Sequence, residues 1–383
     1  MKKSKIFLHI GHGKTGTSAI QSSLAIASEK LATQGIHYPI GESLRDRASK
    51  FEVTSGNWKP KPETSLADEL VQISKKSKKY TTTILSSESL FWTIPELLSC
   101  KKEWQDQIDL HIIMAVREVE EMLSSEYQQR VKRHGDSMPL WQFIRARNFV
   151  SSHHAKAAEI INLMSNHQIP NTVINYSKHK QDISRLVFQQ IGAEDAYPAD
   201  KMDGAIINRS LSRNELEILI MINKLYHQKL PSISTIISDS LIKNQPNLRA
   251  EQCKISDHQL EKIYNKNLAD LQTINHSLSE GEQLSTQINQ TKEVIPDVQN
   301  KKKQEEELLS IRLIGDTLAK ALANEYKTKL ANETVDAIIK LSQSENLSKT
   351  VEVQLLEIAK ENRPQEKTLS KLLEKARAKP SDN

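Results

Sequence analysis

Near its start the chain runs Gly11, His12, Gly13, Lys14, Thr15, Gly16, Thr17, Ser18, a combination of permissive backbone, one ammonium and three hydroxyls that suits an anion. Glycines allow backbone conformations closed to other residues, so several N–H groups can converge on one concavity. A helix beginning near Thr17 or Ser18 adds unpaired N–H groups and the positive end of its dipole. Two further places could complete a transfer site. Arg117 ends a long apolar run and Ser125 stands eight residues later, so a guanidinium fork and a hydroxyl could grip a second anion. Glu88 follows a β-branched run and offers a carboxylate that can take a proton from an attacking hydroxyl.

The elements that must position these residues follow from hydrophobic patterning. Residues 5–10 form a β-branched and aromatic run that breaks into the glycines and then into a helical pattern reaching about Thr33, before Gly35. A helix is predicted over 66–77 and a strand over 80–85, which delivers Ser86, Ser87 and Glu88 to its carboxyl end. In open α/β sheets that edge binds ligands. Residues 109–116 are a nearly continuous apolar run of the kind buried on both faces. After Arg117, the spacing of Val119, Met122, Leu123 and Tyr127 predicts a helix to about His134 and Gly135. One or two helices over 139–164 and a fourth strand over 171–176 complete the alternation. Strands alternating with helices imply a central parallel sheet with helices on both faces.

At 383 residues the chain exceeds one average domain, and its 37% apolar and 5% aromatic content point to a polar helical part beside a packed one. The composition changes near residue 286, beyond which Tyr326 is the only aromatic and apolar residues fall at helical spacings. We therefore divide the chain into a catalytic domain over 1–285 and an all-helical extension over 286–383, the latter a candidate for self-association or a protein partner. A net charge of +5, with no basic block interleaved with aromatics, admits anionic substrates without arguing for nucleic acid. Cys100 and Cys253 have neither disulfide-framework nor metal-type spacing. No signal-peptide core and no run near the roughly 20 apolar residues of a membrane span occurs, so a cytoplasmic location is expected.

A Gly-Lys-Thr sequence also occurs in nucleotide triphosphatases, but their loop needs a glycine where this chain has Leu8, inside the first strand. Lys14 to Ser18 resembles instead the Lys-Thr/Ser-Gly-Thr-Thr/Ser loop of sulfotransferases that use 3′-phosphoadenosine 5′-phosphosulfate (PAPS), especially bacterial and carbohydrate-sulfating ones. In that family an arginine at the end of a central strand and a serine eight residues later bind the cofactor's 3′-phosphate, matching Arg117 and Ser125. The Asn/Asp-Pro that commonly follows the arginine is Glu118 and Val119 here.

The resemblance, which covers roughly residues 5–284, implies a P-loop-like three-layer α/β/α fold and transfer of a sulfuryl group to a hydroxyl of a carbohydrate or glycoconjugate. It implies that Gly13, Lys14, Thr15, Gly16, Thr17 and Ser18 bind the cofactor, the backbone N–H groups of Gly16, Thr17 and Ser18 holding its 5′-phosphate. Lys14 would also neutralise charge on the bridging oxygen, and Glu88 would be the general base. Cytosolic phenol and steroid sulfotransferases use a histidine, which makes His12 the alternative base. Arg209, in the segment 207–212, and Asn275 are similar to late features of the bacterial group, with Arg209 a candidate to touch cofactor or substrate. The reading requires no metal. A P-loop kinase or triphosphatase, and a non-catalytic nucleotide-binding scaffold, are the alternatives.

Overall fold

The structure, a computed structural model, describes residues 3–11, 13–51, 56–204, 209–228, 230–248 and 251–288, together with parts of 309–378. Five parallel strands form one sheet: β1 (Ser4–His9), β2 (Ile36–His37), β3 (Thr82–Ser86), β4 (Ile108–Val116) and β5 (Asn171–Asn175), in the order β2-β3-β1-β4-β5. β1 is central, pairing β3 on one side and β4 on the other, with His9 opposite both Ser86 and Ile113. Phe7, Ile84, Ile113, Ala115 and Ile174 share one core cluster, while the alternate residues Ile6, Leu8, Ile112 and Met114 are equally buried. Both faces of the sheet are thus covered, which is why β4 lacks the polar alternation of a half-solvated strand.

The loop after β1 leads into α1 (Thr17–Ile26) and α2 (Ser28–Thr33). The sequence predicts one helix here. The pattern is interrupted at Ala27, where the Ser28 hydroxyl donates to the Ala25 carbonyl and competes with the backbone ladder. α3 (Glu42–Ser49) and α4 (Leu66–Lys76) precede β3, the latter capped by the Ser65 hydroxyl, which accepts from the Asp68 N–H. α5 (Leu90–Ser99) and α6 (Lys101–Trp104) precede β4. α7 (Val119–His134) follows β4 and stops at left-handed Gly135. α8 (Leu140–Ala146) and α9 (Ser152–Asn166) lead to β5. Then come α10 (Ile183–Gln190), α11 (Ala199–Met202), α12 (Arg213–Tyr226), α13 (Ile233–Asn244) and α14 (Asp257–His276). β2 escapes prediction because its two residues pair only with Thr82 and Thr83, too short for any alternation to register.

From β1 the chain moves outward to the edge strand β2 and returns to β3, then crosses β1 to reach β4 and β5. The order therefore reverses between β1 and β4. The crevice beyond their carboxyl ends is where such sheets bind ligands.

The chain divides into two compact units, Met1–Ser310 and Ile311–Asn383. The compositional change at 286 falls inside the first, and Ser310 is tied there by its hydroxyl to Glu215 at 3.1 Å and Gln245 at 2.6 Å. In the second unit α15 (Lys349–Asn362) and α16 (Lys367–Arg377) bury Leu356, Ala359, Leu369, Leu373 and Ala376 in a small core with Val335. Among the described residues no helix is long and apolar enough to cross a membrane.

Candidate functional site

Two backbone bonds carry the sheet past the end of β1. Ile10 N–H donates to the Ile113 carbonyl at 3.0 Å and Ser87 N–H to the His9 carbonyl at 3.1 Å. The second bond sets Glu88, the next residue, against the loop. The loop then turns into α1 through Gly16, left-handed at φ +78°. A side chain there would be strained by the backbone and would press on the Tyr176 ring at 2.9 Å. Gly11 is needed for a different reason: a Cβ at that position would overlap the Thr17 methyl. The other left-handed residue of the loop is not a glycine. Lys14 itself sits at φ +76°, a conformation that an L side chain adopts at a cost and that is enriched at ligand sites. Gly13, by contrast, has no positive φ.

Among the described residues no side chain caps the N-terminus of α1. Its first N–H groups and the positive end of its dipole therefore face the crevice. Thr17 Oγ1 donates to Glu88 Oε1 at 2.6 Å, so the loop and the end of β3 meet through a short charge-assisted bond. Lys14 Nζ donates to Gln129 Oε1 of α7 at 2.8 Å. Burial pulls the Lys14 ammonium below its ordinary value, Glu88 opposes this, and Arg133 and Arg117 add to it.

Arg117 arrives at the end of β4, where its NH1 donates to the Lys14 carbonyl at 3.0 Å and its Nε to Glu121 Oε2 at 3.0 Å. Its guanidinium lies over the Tyr176 ring, 5.3 Å from the centroid, because Tyr176 N–H bonds the Val116 carbonyl and extends the β4–β5 pairing. NH2 and one NH1 hydrogen remain uncommitted among the described residues. The arginine backbone is also fixed: its carbonyl accepts from His154 Nε2 at 2.7 Å, so Nδ1 of the neutral ring accepts from the Ser151 hydroxyl at 2.8 Å. Burial holds His154 down at about 4.

A cavity of about 990 Å³ collects these groups, lined by Gly13, Lys14, Gly16, Thr17, Ser18, Glu88, Arg117 and Ser125. Ser125 belongs to a stripe of α7 with Gln129 and Lys132, four and seven residues on, which helical periodicity places on one face. Thr15, by contrast, is fully buried. His12 lies outside the described residues.

The structure corrects one expectation. Arg209 borders the cavity, yet its guanidinium forms an ion pair with Glu215 at 2.7 Å, both side chains being almost wholly buried. It also donates to the carbonyls of Gln245, Ser210 and Leu241, so all five N–H groups have acceptors and none is left for a ligand. Glu215 is shared with the capping box of α12, which explains why the arginine is fixed there. Asn275 is likewise structural, clipping both the N–H and the carbonyl of Leu284.

The sequence reading missed Gln129, Lys132 and Tyr176. The signal for the first two was their spacing from Ser125, masked by the basic run 130–134, which reads as a solvated helix end. Chemically, the cavity can hold an anion at the loop and α1, a second at Arg117 and Ser125, and a hydroxyl group beside Glu88. Compared with models of protein families, with curated proteins and with solved structures, the chain gives no match.

Proposed function

We propose that the first unit is a PAPS-dependent sulfotransferase of P-loop-like three-layer architecture, transferring a sulfuryl group to a hydroxyl of a carbohydrate or glycoconjugate. The observation that carries this reading is that the β1 loop and the arginine after β4, 103 residues apart, join directly through the Lys14 carbonyl and line one cavity with Glu88. A doubly phosphorylated adenosine needs two anion sites at fixed separation. Here one is the loop with the α1 N-terminus, and the other is Arg117 with Ser125.

In this mechanism the backbone N–H groups of Gly16, Thr17 and Ser18 hold the 5′-phosphate, and Arg117 and Ser125 hold the 3′-phosphate. Glu88 takes the proton of the acceptor hydroxyl as its oxygen attacks sulfur. The bond from sulfur to the bridging oxygen breaks in line, and adenosine 3′,5′-bisphosphate leaves with that electron pair. Lys14 turns from Gln129 to the bridging oxygen and stabilises its developing charge. Thr17 holds the Glu88 carboxylate in place. His12 remains the alternative base.

The test is transfer from radiolabelled PAPS to a panel of hydroxyl-bearing saccharides, with release of the bisphosphate followed in parallel. Labelled saccharide and stoichiometric bisphosphate are expected. Thermal stabilisation by ATP with magnesium but not by the bisphosphate would select a P-loop kinase or triphosphatase. Ordinary affinity for the bisphosphate with no transfer would select a binding scaffold.

A further inference from the structure

Six lysines and arginines border the cavity: Lys14, Arg117, Lys132, Arg133, Lys180 and Arg209. Four already have a carboxylate partner. Glu121 serves Arg117 and Lys180, Asp239 serves Arg133 at 2.7 Å, and Glu215 serves Arg209. Of the two carboxylates on the cavity wall, Glu126 is tied to Arg147 at 2.9 Å and Glu88 to the Thr17 hydroxyl. Among the described residues the Lys14 ammonium hydrogen-bonds the neutral Gln129, with Glu88 acting on it only through space. Lys132 is 4% exposed, and among the described residues its side chain has no hydrogen bond and no ion pair.

Lys132 thus lines the cavity among other cations, with Asp239, already paired to Arg133, as its one opposing charge, and proteins keep such an ammonium where a ligand supplies the missing charge or where the proton itself is used. We infer that Lys132 is the receptor for an oxyanion, a sulfate, phosphate or carboxylate group, that lies beside Lys14 and is additional to the anions gripped by the α1 N-terminus and by Arg117. The inference rests on the charge inventory of the cavity and stands whether or not the nucleotide is PAPS.

The groups that face Lys132 fix how the site responds to pH. They are Lys14 from the β1 loop, Arg133 on α7, Arg209 before α12 and Asp239 on α13. Burial first, then the three cations, pull the lysine down to about 7, with Asp239 opposing. Binding an oxyanion favours the ammonium form. Above pH 7 the anion must therefore bring a proton with it, and its affinity falls up to tenfold for each further unit of pH, to the point where the bound-state lysine itself deprotonates.

The experiment is calorimetry on the full chain at about pH 8, in buffers of different ionisation enthalpy, with two probes: adenosine 3′,5′-bisphosphate, and inorganic sulfate added to free and to bisphosphate-saturated protein. Wild type should take up close to one proton. Uptake with the bisphosphate alone would mean that Lys132 serves one of the nucleotide's own two phosphates, and would overturn the assignment of an additional oxyanion. Uptake only with sulfate on the saturated protein assigns it to the transferred group or to an acidic acceptor. Lys132→Met should abolish the uptake, and Lys132→Arg should retain sulfate binding with a flat pH profile. No uptake with either probe, or unchanged uptake in Lys132→Met, would overturn the inference. Loss of bisphosphate binding alone would count against the sulfotransferase reading and leave the sulfate arm intact.

Discussion

The carbonyl of Lys14 accepts a hydrogen bond from Arg117 NH1 at 3.0 Å, so the residue proposed to stabilise the leaving group is positioned by the residue proposed to hold the far phosphate. The left-handed backbone at Lys14 turns that carbonyl toward β4. A ligand that grips Arg117 would consequently be felt at the loop.

Lys14→Ala and Glu88→Gln should each lower turnover by on the order of 10² to 10³ while changing bisphosphate affinity far less, because each acts on charge that develops during transfer. Steady-state kinetics beside equilibrium titration will show it. If Glu88→Gln turns over normally, the base assignment passes to His12.

Arg117→Ala should weaken bisphosphate binding by about 1.5–3 kcal/mol, the range for a hydrogen bond to a charged group. Ser125→Ala should weaken it by roughly 1 kcal/mol. Both are read by titration beside adenosine 5′-monophosphate, which lacks the 3′-phosphate: Ser125→Ala should leave its affinity unchanged, and Arg117→Ala should cost it less than it costs the bisphosphate, through the lost tie to the Lys14 carbonyl. Equal losses for the two nucleotides would place the 3′-phosphate elsewhere.

Removing Glu215 tests the buried pair with Arg209. Glu215→Ala should destabilise the first unit by about 3–5 kcal/mol, since it strands a buried guanidinium and removes a helix cap at once. Chemical denaturation measures this. A loss under about 1 kcal/mol would mean that Arg209 is solvated and free to meet a ligand.

Three histidines, His9, His153 and His154, are pushed by burial from 6.5 down to about 4. Between those values the unfolded chain takes up protons that the fold refuses. Stability from this source is thus complete above pH 6.5 and drains away as pH falls toward 4. The urea midpoint should drop steeply over that window, and His9→Asn should flatten the slope by up to one proton. An unchanged slope would place the titration on other groups.

Much of this site was legible because its parts are local. The apolar run of β4 ends where Arg117 begins, and the glycines of the loop sit between an apolar strand and a helical pattern. Glu88 could be placed at a sheet edge from the run before it, but its bond to Thr17 depends on the β1–β3 register, which only the folded sheet supplies. The left-handed turn was assigned to glycines, whereas Lys14 takes one of its positions, a choice set by the surrounding contacts and invisible in residue type. Arg209 misled because a buried ion pair and a ligand-binding arginine look alike in sequence, and its partner Glu215 is recognisable only once α12 is capped. Lys132 was hidden in a basic run that reads as a solvated helix end, since burial depends on what packs over a helix and its own spacing does not report that.

A crystal structure with adenosine 3′,5′-bisphosphate tests the central claim most directly. The 5′-phosphate is expected on the N–H groups of Gly16, Thr17 and Ser18 and the 3′-phosphate within hydrogen-bond distance of Arg117 and Ser125, with the Glu88 carboxylate open to the acceptor side. Nucleotide density anywhere else, or none at saturating concentration, would contradict it.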